Sequence, residues 1–351
     1  MPLLPLADAK AIKLELLEQV VREPQKSAGS TQFQTLAETP KEILPLAVGI
    51  SRSATSGGYA IAIRVQTGSE PARRAGERLR QKAEDAGADV DLAEMEDAMV
   101  PAPGAQLAPG HSLLTSRATV LRPGLSIGHA SGGIGSLGCF VEKAGEPALV
   151  SCSHVLAESG YIDRVAWIHH PGGKPDVNIL GGNTRIARLN RDFIEFSTVQ
   201  SNTVDAALAM LFDPDQVNYE NRIVPGLSSP HDGKMLSGVL PFAEIEPRLG
   251  ARVGKVGRTT GYTEGTLRSV LEFVRVANAK IPGQILRFEN AVEVLWDNDQ
   301  TPFTRAGDSG AAVFLCEDLR VLGLHFASPG KRSFACSFEE VLAVFNASWV
   351  A

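Results

Sequence analysis

The sequence predicts a mainly β protein with a small α/β unit in front of it. Three observations carry this. After Gly124, short apolar runs such as "GCFVEK", "PALVSCSHVLA", "VDAALAML" and "AAVFLC" are punctuated by glycine-rich turns, the texture of a barrel or sandwich. Before residue 100 the pattern is β-β-α-β. Between the two, Pro101, Pro103, Pro109 and Pro123 mark a linker composition. The predicted organisation is therefore a helix plus α/β unit over 1–99, a linker over 100–124 and a β region over 125–351. The β region is long enough for two small barrels side by side.

The elements follow from spacing and punctuation. Residues 9–22 place Ile12, Leu16, Leu17, Val20 and Val21 at helical intervals, with Pro24 just beyond. Residues 25–42 are polar and unpatterned, as in a loop. "ILPLAVGISRS" and "GYAIAIRVQT" flank "ATSGG" and read as a hairpin. A helix follows, with Ser69 as its cap, Pro71 in its first turn and Gly87 past its end. "ADVDLAEME" reads as a further strand. At the other end, Val341, Leu342 and Phe345 recur at helical spacing and close the chain with a helix.

Bulk properties exclude several classes. The 351 residues carry a net charge of −6, with 44% hydrophobic and 21% charged residues. That balance is ordinary for a soluble globular chain. It argues against a nucleic-acid role, since no Lys/Arg stripe is present. "RRAGERLRQK" is interrupted by Glu77 and reads as a solvated helix face. No apolar run is long enough to cross a bilayer, and the start lacks the pattern of a signal peptide. A cytoplasmic location is expected, with Cys139, Cys152, Cys316 and Cys336 reduced. A Cys139–Cys152 disulfide on neighbouring strands is the alternative.

Chemistry enters with "RAGDSGAAVF", Arg305 to Phe314. Gly-Asp-Ser-Gly in front of a strand is either a tight loop or a nucleophile turn at Ser309. His154 follows the strand "ALVSC", and Asp205 sits among small and apolar residues, where a carboxylate is costly unless paired. The order is His, Asp, Ser, 51 and 104 residues apart. A serine hydroxyl needs a neighbouring base. Histidine accepts a proton near neutral pH, and a buried acid fixes its tautomer. The N–H groups of Gly307 and Ser309 would then converge on a developing oxyanion.

From about Gly124 onward the chain resembles the trypsin-like (chymotrypsin-fold) serine peptidases, in particular their non-secreted bacterial and plant branch. The likeness rests on "SIGHASGGIGSLGCFV", "LVSCSHVLA", "NTVDAALA", "VGKVGRTTGYTEGTL" and "GDSGAAVFL…VLGLHFAS", in the family's order. It implies two six-stranded barrels with a cleft between them. It also implies a serine endopeptidase with His154 as base, Asp205 as orienting acid, Ser309 as nucleophile, and Gly307 and Ser309 as oxyanion donors. The implied partner is a protein or peptide substrate, and no cofactor or metal is expected. The alternative is a catalytically silent binding or scaffold module on the same fold. The order of the triad and the absence of a GxSxG elbow argue against an esterase or acyl transferase of the α/β-hydrolase kind.

The chain departs from the family in three places. Ala311 stands where the motif usually has glycine. No Ile-Val-Gly-Gly-like start supplies the amine that pairs with the Asp before the serine, which leaves Asp308 in want of another partner. Phe303 occupies the position that holds Asp in members preferring Arg or Lys. Phe303 and the "LHFAS" wall (His325, Phe326, Ala327) are therefore expected to favour an apolar or small side chain. "VGRTTGYTEG" lacks phosphate-loop spacing and reads as strand, turn, strand. "IHHPGG" lacks a third zinc ligand and reads as a surface loop near the cleft. The N-terminal unit shows no chemistry of its own, and restraint, substrate recruitment, a regulatory partner or self-association are its candidate roles.

Overall fold

The computed structural model describes residues 3–22, 47–96, 98–99, 112–129, 133–157, 165–172, 184–215, 217–278, 281, 284–297 and 302–350. Helix α1 (Leu6–Arg22) precedes an antiparallel hairpin of β1 (Ala47–Arg52) and β2 (Tyr59–Gln66). Ser69 caps α2 (Glu70–Asp85), its hydroxyl accepting from Ala72 N at 3.3 Å. Ala72, Ala75, Leu79 and Ala83 line the helix's buried face. Strand β3 (Asp89–Met95) then returns parallel to β2. The predicted loop over 25–42 lies outside the described residues.

The stretch read as a linker is partly built. Residues 100–111 are not described. Just before them is β4 (Ala98–Met99), and after them come a short α3 (Ser112–Thr115) and β5 (Val120–Leu121). Leu114 and Leu121 are buried in the main core, so residues 112–124 are packed chain and not a tether.

The first barrel comprises β6 (Ser126–His129), β7 (Ile134–Ser136), β8 (Cys139–Lys143), β9 (Glu146–Ser151), β10 (Val165–His170), β11 (Thr184–Phe193) and β12 (Ala207–Leu211). A one-turn helix, α4 (Ser153–Leu156), follows β9. The strand order is β8-β9-β12-β11-β10-β6-β7. Strands β7 and β8, at the two ends of this path, are separated only by Leu137 and Gly138. One bent segment therefore brings the sheet back on itself.

After β13 (Asn218–Tyr219) and β14 (Gly238–Val239) come β15 (Arg252–Gly257), β16 (Gly261–Ala277), β17 (Ile285–Trp296), β18 (Ala312–Leu315), β19 (Arg320–Ala327) and β20 (Arg332–Ser337). Their order, β15-β18-β19-β20-β17-β16, closes through β15–β16 pairing into a six-stranded barrel. Helix α5 (Phe338–Phe345) and β21 (Ala347–Trp349) finish the chain, and β21 pairs with β8 of the first barrel. This is the chymotrypsin-like double barrel, mainly β, preceded by a small α/β region.

The N-terminal strands extend the second barrel's sheet. Strand β16 pairs with β15 over Gly261–Thr266 and with β1 over Ser269–Val274. A buried ion network crosses the same seam. Arg64 on β2 donates to both oxygens of Glu293 on β17, at 2.9 and 2.7 Å, and to Asp91 on β3 at 2.8 Å. Arg332 adds a 2.6 Å bond to Glu293. All four cysteines are free thiols, and Cys139 lies opposite Val150, not Cys152. No helix among the described residues is long and apolar enough to cross a membrane.

Candidate active site

The pairing of β9 with β12 sets the histidine beside the aspartate. Ala207 lies opposite Ser151, so Asp205, just before β12, meets α4, just after β9. His154 Nδ1 and Asp205 Oδ2 are 2.5 Å apart, and the His154 backbone N–H donates to Asp205 Oδ1 at 3.3 Å. Asp205 is fully buried between Val204 and Ala206. This bond assigns the ring proton to Nδ1 and leaves Nε2 as the acceptor. His154 Nε2 is buried and has no hydrogen-bond partner among the described residues.

The Gly-Asp-Ser-Gly turn is held by its alternate amides. Asp308 N donates to Arg305 O at 3.0 Å and Gly310 N to His325 O at 2.8 Å. The intervening Gly307 and Ser309 N–H groups have no acceptor among the described residues. Both glycines are needed. Gly307 has φ +97° and Gly310 φ +88°, and a Cβ at Gly310 would strike Ser151 Oγ and Ser136 O. Ser309 Oγ is buried and, like His154 Nε2, unpartnered among the described residues.

Two side chains of the first barrel fix this turn from across the cleft. Ser136 N donates to Ser309 O at 2.8 Å, and Ser136 Oγ donates to Gly307 O at 3.0 Å. Cys152 Sγ donates to His325 O at 3.1 Å, the carbonyl that also accepts from Gly310 N. The histidine segment and the serine segment thus hang from one carbonyl. Ser136 carries no signal in the sequence beyond that of a small residue in a glycine-rich run.

Asp308 has a partner of its own. Lys255 Nζ on β15 lies 3.7 Å from Asp308 Oδ2, with both side chains fully buried. Asp308 also accepts from Thr259 N, Thr260 N, Thr260 Oγ1 and Arg305 N, at 2.7–3.1 Å. Burial works to raise its pKa, but the Lys255 charge and these donors outweigh it and hold the carboxyl below its usual range. Burial pushes Lys255 down to about 8, against the pull of Asp308.

The expected pocket residues separate into two groups. Phe303 is fully buried in the second barrel's core, with Lys255 Nζ 5.9 Å from its ring centroid. Phe326 stacks on Phe288 in the main core, centroids 4.7 Å apart. Both pack as core residues. Ala327 is buried as well. His325 instead joins a polar chain that the sequence reading missed. Thr304 Oγ1 meets Ser328 Oγ at 2.6 Å, and Ser328 Oγ meets His325 Nε2 at 3.3 Å. His325 Nδ1 lies 3.1 Å from Phe334 O. Burial pushes the His325 imidazole down to about 4.

"VGRTTGYTEG" is the β15–β16 hairpin, as read. "IHHPGG" differs from the expected surface loop: His169 and His170 end strand β10 and are buried. His170 accepts from Ala118 N at 3.0 Å and faces Ser126 O at 2.7 Å, so neither ring nitrogen is available to a metal.

No family model matches the chain, and no curated protein matches it in sequence. Among solved structures it is similar to Protease A of Thermobifida fusca, with 12% identity over 66% of this chain and 99% of the other (TM-score 0.44). It is also similar to a chymotrypsin of Cellulomonas bogoriensis, with 13% identity over 66% and 98% (TM-score 0.42). A third is a glutamic-acid-specific serine protease that uses a histidine triad in substrate binding, with 20% identity over 66% and 100% (TM-score 0.41). Solved structures that this chain resembles in fold include chymotrypsin-like serine proteases.

Proposed function

We propose that the protein is a serine endopeptidase. One observation carries the reading: His154 is tied to Asp205 through Nδ1, while its Nε2 and the Ser309 hydroxyl are both buried without partners among the described residues. Buried polar atoms are rarely left so in a folded core. Here they are the two atoms between which a proton must pass. They are not hydrogen-bonded to each other, and such bonds commonly tighten only when substrate is bound.

In the proposed reaction His154 Nε2 takes the Ser309 proton as Oγ attacks the peptide carbonyl. The Gly307 and Ser309 N–H groups donate hydrogen bonds to the oxyanion. Imidazolium then delivers the proton to the leaving amine, giving an acyl-enzyme. Water, deprotonated by His154, releases the acid product and regenerates Ser309. Asp205 holds the ring and offsets its charge during both transfers.

The reading extends to side-chain preference. Thr304, Ser328 and His325 line the turn behind Ser309 with two hydroxyls and an imidazole, and Ser328 is partly open to solvent. A carboxylate there accepts from the hydroxyls and draws a proton onto His325 Nε2. An apolar side chain makes no such bonds. We therefore assign cleavage after acidic residues. The four free thiols suit a reducing compartment, and the cytoplasm is the location we assign.

A fluorescent fluorophosphonate probe tests the nucleophile. Wild type is expected to be labelled and Ser309→Ala is not; labelling of neither would favour a silent binding module. Profiling on a peptide library then tests the preference. Cleavage after Leu or Ala with Glu ignored would remove the acidic assignment while leaving the peptidase standing.

A further inference from the structure

We propose that His231, Glu264 and Cys316 form a binding site for a zinc-like divalent cation, apart from the cleft and independent of the peptidase reading. One donor atom from each of the three lies within 4.8 Å of the other two. A nitrogen, an oxygen and a sulfur are the donor types that zinc takes in tetrahedral sites.

The sheet builds this arrangement. Strand β15 runs between β16 and β18, with Gly254 opposite both Glu264 and Phe314. Residues directly opposite, and those two apart on a strand, share a face. Tyr262, Glu264, Phe314 and Cys316 therefore stand on one outer face of the barrel. Gly254 contributes no side chain between them. A Cβ there would lie 2.9 Å from the Phe314 ring and 3.3 Å from the Tyr262 ring, so the gap is what lets the donors converge across β15.

His231 covers this gap from a braced turn. Its N–H donates to Ser229 Oγ at 3.0 Å, while Asp232 accepts from Ser229 N and Gly226 N, both at 3.1 Å. The imidazole sits edge-on to Tyr262 and Phe314, centroids 6.1 and 6.3 Å away. Its Nδ1 is buried and has no hydrogen-bond partner among the described residues. A nitrogen lone pair in that state is what a metal ligand offers.

Glu264 is already oriented, accepting from Tyr262 OH at 2.6 Å and from Arg252 Nη2 at 2.9 Å. Arg252 is separately balanced by Asp297, at 2.6 and 2.7 Å. The Glu264 charge is thus not consumed by Arg252 alone. On binding, the Cys316 S–H proton leaves to solvent as the sulfur–metal bond forms, and thiolate plus carboxylate neutralise the divalent ion. Cys152, His154 and Asp205 are equally close together, but the 2.5 Å His154–Asp205 bond leaves no room for an ion between those two.

The test is titration of the chelator-treated full chain with cobalt(II), followed by zinc. The expected result is one cobalt per chain with a thiolate-to-cobalt charge-transfer band in the near ultraviolet, bleached by zinc. Cys316→Ser should abolish the band, and His231→Gln should weaken binding. Tyr262→Phe, which leaves the three donors in place, should cost roughly 10–100-fold in affinity. Circular dichroism checks that each variant is folded, and His231→Gln decides the matter if Cys316→Ser is not. Absence of the band overturns the proposal. So does a band that survives Cys316→Ser and disappears in Cys152→Ser, which would put the ion beside His154.

Discussion

Lys255 Nζ lies 3.7 Å from Asp308 Oδ2, and neither side chain reaches solvent. The residue before Ser309 is thereby anchored by a cation from the neighbouring strand. Lys255→Met leaves a buried carboxylate without its counter-charge. The expected outcome is slower probe labelling, because Asp308 also holds the Thr259, Thr260 and Arg305 amides, with little loss of stability, because burial already disfavours the Lys255 charge. Labelling rates and denaturant melts check this, and labelling at the wild-type rate would show the pair to be idle.

On the proposed reading the same pair sets a basic limit on the labelling of Ser309. Lys255 releases its proton at about 8 in the folded chain and near its ordinary value of 10.5 when unfolded. Between those values the unfolded state binds more protons, so this group's contribution to stability increases as pH rises. The anchor for Asp308 is lost over the same window. Labelling of wild type should therefore decline through pH 8 without loss of fold. In Lys255→Met that decline should be absent, as read from labelling rates and melts at pH 7 and 9.

His325 gives the opposite limb. Its imidazole is held neutral to about 4 by burial, against an ordinary 6.5. Below 6.5 the unfolded chain takes up a proton that the folded chain refuses, so stability is lost as pH falls toward 4. The full loss is about 3 kcal/mol. His325→Gln should flatten it. Denaturation midpoints at pH 7 and 4.5 for both proteins make the comparison.

Asp205→Asn should reduce turnover on a cleavable peptide by about ten-thousand-fold with little change in fold, because the ring tautomer is no longer fixed. A loss of less than tenfold would detach Asp205 from the chemistry.

Arg64→Met should destabilise the whole chain by about 3–5 kcal/mol, since Glu293 is left buried with Arg332 as its remaining cation. Adding Glu293→Met should recover much of that loss, and the double-mutant cycle measures the coupling. Additive losses would mean that the seam does not depend on this pair. Removing residues 1–99 strips β1 from β16 as well, and the truncated chain should be recovered as aggregate.

Much of this molecule was legible because local chemistry is legible. Ser69 capping α2 and the glycines around Ser309 act over a few residues, and the structure has them where spacing put them. His154 and Asp205 were legible as residue types, yet only the β9–β12 register makes them neighbours. What stayed hidden depends on distant pairing. Lys255 sits in the run "VGKVG", where alternation alone cannot say which face looks inward. Asp308, its partner, comes from another strand turn. The docking of β1 on β16 joins segments more than two hundred residues apart and leaves no pattern in either. Phe303 looked like a pocket residue by counting back from the serine, but its ring turns into the barrel. His169 and His170 were misplaced because Pro171 and two glycines suggested a loop, although the strand runs right up to them.

Ser136 has a consequence for how rates should be interpreted. It belongs to the first barrel, yet it grips the carbonyls of Gly307 and Ser309 in the second. The position of Ser309 is therefore a reading of how the two barrels are seated, not a property of its own loop. A substitution deep in the first barrel that tilts it slightly would change labelling of Ser309 without touching any reacting group. Probe reactivity thus becomes a gauge of alignment between the two halves, and damage far from the cleft should register there before the fold is lost.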